Sequence, residues 1–281
     1  MNIQQAIEIV SKTDCGKVRS HNEDSLSYDT ASGLAVLADG MGGYNAGEIA
    51  SNIAITVISS QVKHHQGIMR PEKTTLNTED VGEMILRESV QKANTEILNA
   101  SRRQAQYAGM GTTVVSTLFY DNRMAVAHVG DSRVYRLRAD TFESITHDHS
   151  LLQQQIDAGL LSQEEARFSR IKNLLTRAIG IENEVEVETR THPVNVGDIY
   201  LLCSDGLNTM VDDELIGSVL ISMQSNLHAA AERLIQLAND NGGQDNVSVI
   251  LIKINADFAA PVSRLKKLLR WLNKRESDRA S

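Results

Sequence analysis

Cysteine and proline are scarce in this chain, and their scarcity excludes several classes of protein. The two cysteines are too few for a disulfide framework, and Cys203 lies in an apolar run, so we expect a buried, reduced thiol. With three prolines and no linker rich in serine and glycine, the chain shows no internal division. It has no run of about 18 apolar residues, and its first twenty residues lack the basic segment followed by an apolar one that is typical of a secretory leader. The sequence therefore predicts a globular, cytoplasmic protein.

Length and composition set the expected domain organisation. A chain of 281 residues, 41% of them hydrophobic, can form a sizeable core in one large domain or in two ordinary ones. Because no linker divides the sequence, we predict one domain over residues 1–256 and a tail over residues 257–281.

The apolar pattern predicts an α+β protein. Four strands are predicted to form one antiparallel meander, over residues 114–120, 124–130, 134–138 and 142–145. Helical spacing predicts three helices, over residues 46–63, 81–103 and 227–238. Asn226 is placed to cap the last of these helices. Sheets of this kind need helices on their outer faces.

Aspartates stand at the ends of predicted buried strands. Three such strands, over residues 34–38, 199–203 and 247–252, are flanked by Asp39, Asp205 and Asp245, respectively. Turn chemistry explains any one of these aspartates, but three together indicate a shared site. Mg²⁺ and Mn²⁺ prefer oxygen ligands, and no matching set of cysteine and histidine accompanies the carboxylates. The sequence therefore predicts a site for hard divalent cations.

Eight short segments resemble, in the same order, the motifs of the PPM family, the protein phosphatase 2C-like metal-dependent phosphatases, and especially its compact bacterial members. The segments are VRSHNED (18–24), ADGMGG (38–43), GMGTT (109–113), HVGDSR (128–133), DHS (148–150), LLTRAIG (174–180), SDGL (204–207) and GGQDN (242–246). Each segment is weak alone, but eight in the family's order over residues 10–255 form a specific signal.

The resemblance implies a particular fold and a particular reaction. The implied fold has two antiparallel β-sheets packed as a sandwich and flanked by α-helices, in four αββα layers, with a metal cleft at one end. The implied reaction is hydrolysis of phosphoserine and phosphothreonine in proteins. A hydroxide that bridges two Mn²⁺ or Mg²⁺ ions attacks phosphorus directly, so no phosphoenzyme is expected.

The same resemblance implies which residues hold the two ions. Asp39 is expected to bridge both ions. Asp205 and Asp245 are expected to hold the first ion. Glu23 and the carbonyl of Gly40 are expected to serve the second ion, partly through water.

Further residues are implied around the ions. Asp24 is expected to orient their ligands, and Asp131 to hold a third, weaker ion together with Asp205. Arg19 is expected to clamp the substrate phosphate, because its planar guanidinium matches two phosphate oxygens at once. Met41 stands where some eukaryotic members have a histidine proposed to protonate the leaving alcohol. A thioether cannot donate that proton, so a water on the third ion is the predicted substitute.

Other functions fit parts of the sequence. A catalytically inactive binding module of this family is expected to lack metal carboxylates, which this chain keeps. A hydrolase of small phosphorylated metabolites would use the same site. No zinc site is predicted at His147 and His149, because their spacing does not match the helical metalloprotease motif. The expected partners are phosphorylated proteins and, by family analogy, an opposing bacterial Ser/Thr kinase. The protein is expected to be a monomer without a nucleic-acid partner.

A basic segment lies near the end of an acidic chain whose net charge is −8. Residues 264–275 contain six basic residues and no acidic one, and leucines at helical spacing predict an amphipathic helix there. Three binding sites for this helix fit the pattern: the acidic surface of the protein itself, an anionic membrane surface and a partner protein.

Overall fold

Two antiparallel β-sheets form the framework of the protein. The computed structural model describes residues 2–43, 46–65, 80–162, 165 and 174–259. The strands, in chain order, are β1 (Ile7–Asp14), β2 (Asp24–Asp29), β3 (Leu34–Met41), β4 (Gly111–Thr112), β5 (Val114–Tyr120), β6 (Arg123–Val129), β7 (Arg133–Arg138), β8 (Thr141–Ser144), β9 (Glu188–Pro193), β10 (Ile199–Cys203) and β11 (Val247–Ile254). One sheet has the order β1-β11-β10-β7-β8, and the other has the order β2-β3-β5-β6-β9, with β4 paired to β3.

Helices cover the outer face of each sheet. The helices, in chain order, are α1 (Ile3–Ala6), α2 (Ala46–His65), α3 (Val81–Arg103), α4 (Leu151–Asp157), α5 (Asp205–Asn208), α6 (Asp213–Met223) and α7 (Leu227–Asp240), with a 3-10 turn at Ala105–Tyr107. Buried residues of α2 and α3 pack on the six-stranded sheet, and those of α6 and α7 pack on the five-stranded sheet. Asn226 caps α7 as predicted, because its side chain accepts a hydrogen bond from Ala229 N.

Apolar side chains divide between outer and inner cores because successive residues of a strand face opposite sides of the sheet. In β10, Leu201 packs under the helices, while Tyr200 and Leu202 point between the two sheets. Tyr200 meets Phe119 of the other sheet with the ring centroids 5.4 Å apart. These layers confirm the predicted fold class, a four-layer αββα sandwich.

The predicted four-stranded meander is wrong. β5 and β6 pair in the six-stranded sheet, whereas β7 and β8 pair in the five-stranded sheet. The chain crosses between the sheets at Gly130, which has a φ of +109° and leaves room for the side chain of Thr113. An apolar pattern identifies each strand but not the strand it pairs with. The sequence therefore does not reveal the crossing.

Several elements have no counterpart among the predicted ones, most clearly β1, β9 and α6. Among the described residues, β9 lies at the edge of its sheet and is bonded only on the β6 side. None of its residues is fully buried. Such an edge strand shows little of the apolar alternation that identifies a strand in sequence.

The predicted basic helix of residues 264–275 lies outside the described residues. The division into a domain over residues 1–256 and a tail over residues 257–281 stays a prediction. The described fold continues to Phe258, which is buried between the sheets. Across the described part of the chain, none of the helices is both long enough and apolar enough to cross a membrane.

Gly130→Ala is expected to destabilise the protein more than Gly159→Ala does. Both glycines have a positive φ, +109° and +69°, so alanine introduces backbone strain of about 1–3 kcal/mol at either position. A Cβ on Gly130 would lie 2.7 Å from Cβ and Cγ2 of Thr113, while one on Gly159 meets nothing within 4 Å among the described residues. Urea unfolding measures both free energies. Equal losses would contradict the tight packing at the crossing.

Candidate active site

Carboxylates from both sheets lie at one end of the sandwich. Asp24 begins β2 and pairs in register with Asp39, close to the end of β3. Asp205 begins α5 directly after β10, and Asp245 lies two residues before β11, the neighbour of β10. Asp131 lies at the crossing between β6 and β7. The fold thus gathers five aspartates from distant parts of the sequence.

Burial and repulsion by neighbouring carboxylates raise the pKa values of four of these aspartates, Asp24, Asp39, Asp131 and Asp205. Burial, followed by the charges of Asp24 and Asp205, holds the pKa of Asp39 well above its usual range. Burial, followed by the charges of Asp131 and Asp245, does the same for the pKa of Asp205. Burial is also the main cause that raises the pKa of Asp24, and that of Asp131, to about 6. A positive charge placed among these groups would stabilise their ionised forms.

Two buried carboxylate oxygens, Glu23 Oε1 and Asp24 Oδ1, have no hydrogen-bond partner among the described residues. His21 Nε2 lies 3.5 Å from Glu23 Oε1, which is too long for a normal hydrogen bond. The other oxygen of Asp24 accepts a hydrogen bond from Ser204 Oγ at 2.8 Å. Because unpaired buried oxygens are costly, this pair fits a site for a divalent cation and its water ligands.

Two glycines allow the main chain to approach Glu23. A Cβ on Gly47 would lie 2.8 Å from Cδ of Glu23, and a Cβ on Gly40 would lie 2.1 Å from the carbonyl oxygen of Gly47. Gly40 N also donates to the carbonyl oxygen of Glu23 at 3.2 Å. Any side chain at either glycine would force the end of β3 away from the first turn of α2.

Asn246 holds the segment that contains Arg19 and Glu23 beside the start of β11. Its Nδ2 donates to the carbonyl oxygens of Cys15 and His21, both at 3.0 Å. Its Oδ1 accepts from Glu23 N at 2.8 Å. Both donors of the buried amide are thereby used, and its orientation is fixed. Asn246 was not predicted as a site residue, although the GGQDN motif contains it.

Arg19 places a positive charge at the mouth of the cluster. Its Nη2 donates to Asp245 Oδ2 at 2.6 Å, and its side chain is 51% exposed. The hydrogen bond to Asp245 is the main cause that raises the pKa of Arg19, and the charges of Asp39 and Glu23 add to it. The guanidinium therefore faces both solvent and the carboxylates.

Hydroxyl groups fix the backbone of Asp39. Thr112 Oγ1 donates to the carbonyl oxygen of Asp39 at 2.7 Å, and Asp39 N donates to Thr113 Oγ1 at 3.2 Å. Thr113 Oγ1 also lies 2.7 Å from Oγ of Ser132, the residue after Asp131. These supporting residues were not predicted, and the GMGTT and HVGDSR motifs were the only signal for them.

A second cluster consists of His128, His149 and Glu188, whose candidate ligand atoms lie within 4.8 Å of one another. Gly130 N donates to Nδ1 of His149 at 3.2 Å, so the neutral ring carries its proton on Nε2, 3.4 Å from Glu188 Oε2. Burial, then the neighbouring His128 and Arg177, lowers the pKa of His149 to about 4. The main chain thus binds Nδ1 of His149, while Nε2 lies 3.4 Å from both Glu188 Oε2 and Arg177 Nη1. The expectation that no zinc site lies at His147 and His149 stays a prediction.

All residues predicted for the ion and phosphate site lie at this end of the sandwich: Arg19, Glu23, Asp24, Asp39, Gly40, Asp131, Asp205 and Asp245. The structure supports their proximity through the hydrogen bonds and electrostatic interactions described above. The role of each at an ion or a phosphate stays a prediction.

Comparison with known proteins decides the family. The sequence model described as "Protein phosphatase 2C" matches residues 13–245. The chain belongs to the protein phosphatase 2C family. It is 37% identical over 247 residues to the serine/threonine phosphatase stp of Listeria innocua, a match that covers 87% of this chain and 94% of that protein. It is 34% identical over 256 residues to the protein phosphatase PhpP of Streptococcus pneumoniae, covering 90% and 100%. The predicted family and enzyme class are confirmed.

Solved structures of serine/threonine phosphatases share the fold. The structure of PstP/Ppp from Mycobacterium tuberculosis has a TM-score of 0.80 at 34% identity and covers 89% of this chain and 100% of that chain. The catalytic domain of PstP in complex with two manganese ions has a TM-score of 0.75 at 33% identity, covering 89% and 99%. Stp1 from Staphylococcus aureus has a TM-score of 0.80 at 32% identity, covering 91% and 98%.

Asn246→Asp is expected to lower kcat/KM for a phosphothreonine peptide by about 10–100-fold, the usual effect of losing a group that orients metal ligands. Aspartate has the same shape, but it would place an oxygen against the carbonyl oxygens of Cys15 and His21. Asn241→Asp is the matched control, because this nearby exposed amide donates to Met210 O, away from Glu23. Equal losses in the two variants would contradict the positioning role of Asn246.

Proposed function

We propose that this protein is a metal-dependent phosphatase that hydrolyses phosphoserine and phosphothreonine in proteins. The observation that carries the proposal is the buried cluster of carboxylates, with Arg19 at its mouth, in a chain of the protein phosphatase 2C family. Its relatives are named serine/threonine phosphatases, and the structure of the PstP catalytic domain contains two manganese ions. The proposed cofactors are accordingly two Mn²⁺ or Mg²⁺ ions.

The positions of the carboxylates support an assignment for each of the two ions. Asp39 takes the bridging position, because its carboxylate interacts with the other aspartates of the cluster. Asp205 and Asp245, at the ends of neighbouring strands, hold the first ion. Glu23, with its unpaired Oε1, and the carbonyl of Gly40 serve the second ion.

Two further aspartates complete the proposed site. The hydrogen bond with Ser204 fixes one carboxylate oxygen of Asp24. The second oxygen, which has no partner among the described residues, can then orient a water or another ligand of the ions. Asp131 and Asp205 would hold a third, weaker ion, which the repulsion between their carboxylates supports. Each added ion relieves part of this repulsion.

The chain's own groups divide the work of phosphate hydrolysis. Ions held by these carboxylates would supply Lewis acidity and an activated water for the attack on phosphorus. Arg19 binds the phosphate, because a half-exposed guanidinium with five N–H donors can contact two phosphate oxygens while it stays near Asp245. The aspartates place negative charge around the ions, on one side of the bound phosphate. Arg19 places positive charge on the side of the phosphate that faces solvent.

Met41 cannot donate a proton to the departing serine or threonine oxygen. The Met41 Cε and Ile181 Cδ1 atoms approach Gly111, where a Cβ would lie 2.9 and 2.8 Å from them. The thioether and this neighbouring methyl group offer an apolar surface beside Gly40. The proton for the departing serine or threonine oxygen therefore comes from water.

Phosphorylated proteins are the proposed substrates. An opposing bacterial Ser/Thr kinase, a monomeric state and a cytoplasmic location are further proposals that rest on family analogy or on the sequence alone. Binding of the basic tail to a partner or to an anionic membrane surface also stays a prediction, because that segment lies outside the described residues.

Chelation is expected to abolish hydrolysis of a phosphothreonine peptide, and Mn²⁺ or Mg²⁺ is expected to restore it far better than Zn²⁺. Oxygen ligands, which make up the whole proposed site, favour the harder ions. The measurement is the initial rate after dialysis against a chelator, with small phosphorylated metabolites assayed in parallel. Full activity in metal-free protein would refute the mechanism, and a preference for the metabolites would refute the substrate class.

Asp39→Asn and Asp205→Asn are each expected to lower kcat by about 10²–10³-fold or more, the scale seen when a group that stabilises transition-state charge is removed. The metal-free variants are expected to melt no lower than the metal-free parent, because each substitution removes a repelling carboxylate. Asp140→Asn, at an exposed turn, is the matched control. Near-normal kcat in either site variant would remove that residue from the proposed centre.

Removal of residues 262–281 is expected to leave the hydrolysis of a small aryl phosphate nearly unchanged, because every proposed site residue precedes residue 246. If the basic segment recruits a partner or an anionic surface, truncation weakens that association, and salt weakens it in the intact protein. Vesicle sedimentation and a melting curve provide the measurements. A large fall in the melting temperature would show instead that the tail stabilises the body.

A further inference from the structure

The DHS motif at residues 148–150 has no part in the proposed ion and phosphate site, yet the structure packs it against the turn that contains Asp131. We call residues 128–134 the corner and residues 145–149 the strip. At the end of the strip that is farther along the chain from the DHS motif, a main-chain hydrogen bond joins the strip to the corner: Ile145 N donates to Val134 O at 2.7 Å. The contacts nearest Asp131 involve two side chains of the motif itself.

His149 holds Gly130, the residue before Asp131, on both sides of its main chain. His149 N donates to Gly130 O at 2.9 Å, and Gly130 N donates to Nδ1 of the His149 ring at 3.2 Å. The ring is 7% exposed and lies 4.6 Å, between centroids, from the nearly parallel ring of His128. Packing and hydrogen bonding thus fix both the ring and the peptide that it contacts.

Asp148 holds the corner on the other side of Asp131. Its two carboxylate oxygens accept from Nε and Nη2 of Arg133 at 2.8 and 2.7 Å, a bidentate pair with restricted geometry. Arg133 also donates to Tyr135 Oη at 2.8 Å, and that hydroxyl donates to Asp213 of α6 at 2.9 Å. The corner is therefore fixed immediately before and shortly after Asp131.

The corner needs this external support. Gly130 has a φ of +109°, and the orientation of its peptide decides where the Cα–Cβ bond of the next residue points. The carboxylate of Asp131 is repelled by that of Asp148 in the strip and by those of Asp39 and Asp205. An unsupported corner would turn Asp131 away from the other two carboxylates.

We propose that His149, supported by Asp148, is a positioning residue for the weakest cation site, because it fixes the corner that directs Asp131 toward Asp205. The inference rests on the proposed function in one respect, that Asp131 is a cation ligand. His149 acts through Gly130 and contacts neither the cation nor the substrate.

The test is calorimetric titration of the full-length, metal-free protein with Mn²⁺ in the absence of substrate. Asp131→Ala first identifies the binding event to which Asp131 contributes. His149→Leu, which removes the Nδ1 acceptor, is expected to weaken that event by about tenfold and to change the stronger events by less than about twofold. Because substrate is absent, failure to hydrolyse phosphopeptides would count against the proposed function and leave this test valid.

Two matched variants separate positioning from general destabilisation. His149→Asn places an amide oxygen close to the position of Nδ1 and is expected to restore most of the Mn²⁺ affinity that His149→Leu loses. His147→Leu, in the same strip, removes an exposed ring paired with Asp157 and is expected to bind Mn²⁺ like the parent. Loss of affinity in His147→Leu equal to that in His149→Leu would overturn the proposal.

The double variant His149→Leu/Asp131→Ala decides whether the two residues act at one site. If they do, it binds Mn²⁺ no more weakly than Asp131→Ala alone. Additive losses, equal weakening of every binding event, or parent-like affinity in His149→Leu would each overturn the proposal. If His149→Leu does not fold, His149→Phe replaces it, because phenylalanine keeps the stacking on His128 and lacks the Nδ1 acceptor. That variant is expected to weaken the same event, and unchanged affinity there would overturn the proposal.

Discussion

Repulsion among buried carboxylates is the constraint on which the arrangement of this protein depends. Two sheets and the crossing between them bring five aspartates to one end of the sandwich, and burial adds to the cost of their charges. Such a cluster persists only if rigid elements hold its members and a positive charge compensates them. The β2–β3 register fixes Asp24 opposite Asp39, and Arg19 supplies one compensating charge at the mouth.

The groups that hold the carboxylates in place are mostly neutral. Asn246 binds the segment of Glu23 through its amide, Thr113 binds the backbone of Asp39 through its hydroxyl, and His149 binds Gly130 through a neutral ring. Neutral supports fix the backbone without changing the net charge of the site. Added lysines or arginines would compete with the cations for the same oxygens.

Sequence reasoning was most successful where a residue's chemistry and its place in an apolar pattern coincide. Asp39 and Asp205 follow continuous apolar runs, so both the strands and the carboxylates at their ends were predictable. The crossing at Gly130 was not predictable, because the packing of side chains between the two sheets decides which strands pair. Thr113 and Asn246 were missed for a related reason: their roles depend on partners distant in sequence, and polar side chains of these types are common in any loop.

The position of the carboxylates between the two sheets links cation binding to folding. Residues of both sheets contribute to the proposed ion site, so an ion bound there joins layers that separate on unfolding. By mass action, an ion present at 100 times its dissociation constant would add about 2.7 kcal/mol to the free energy of unfolding. The resistance of this protein to proteolysis would then increase with the concentration of free Mn²⁺ or Mg²⁺. Its lifetime would therefore depend on how much of these ions its surroundings contain.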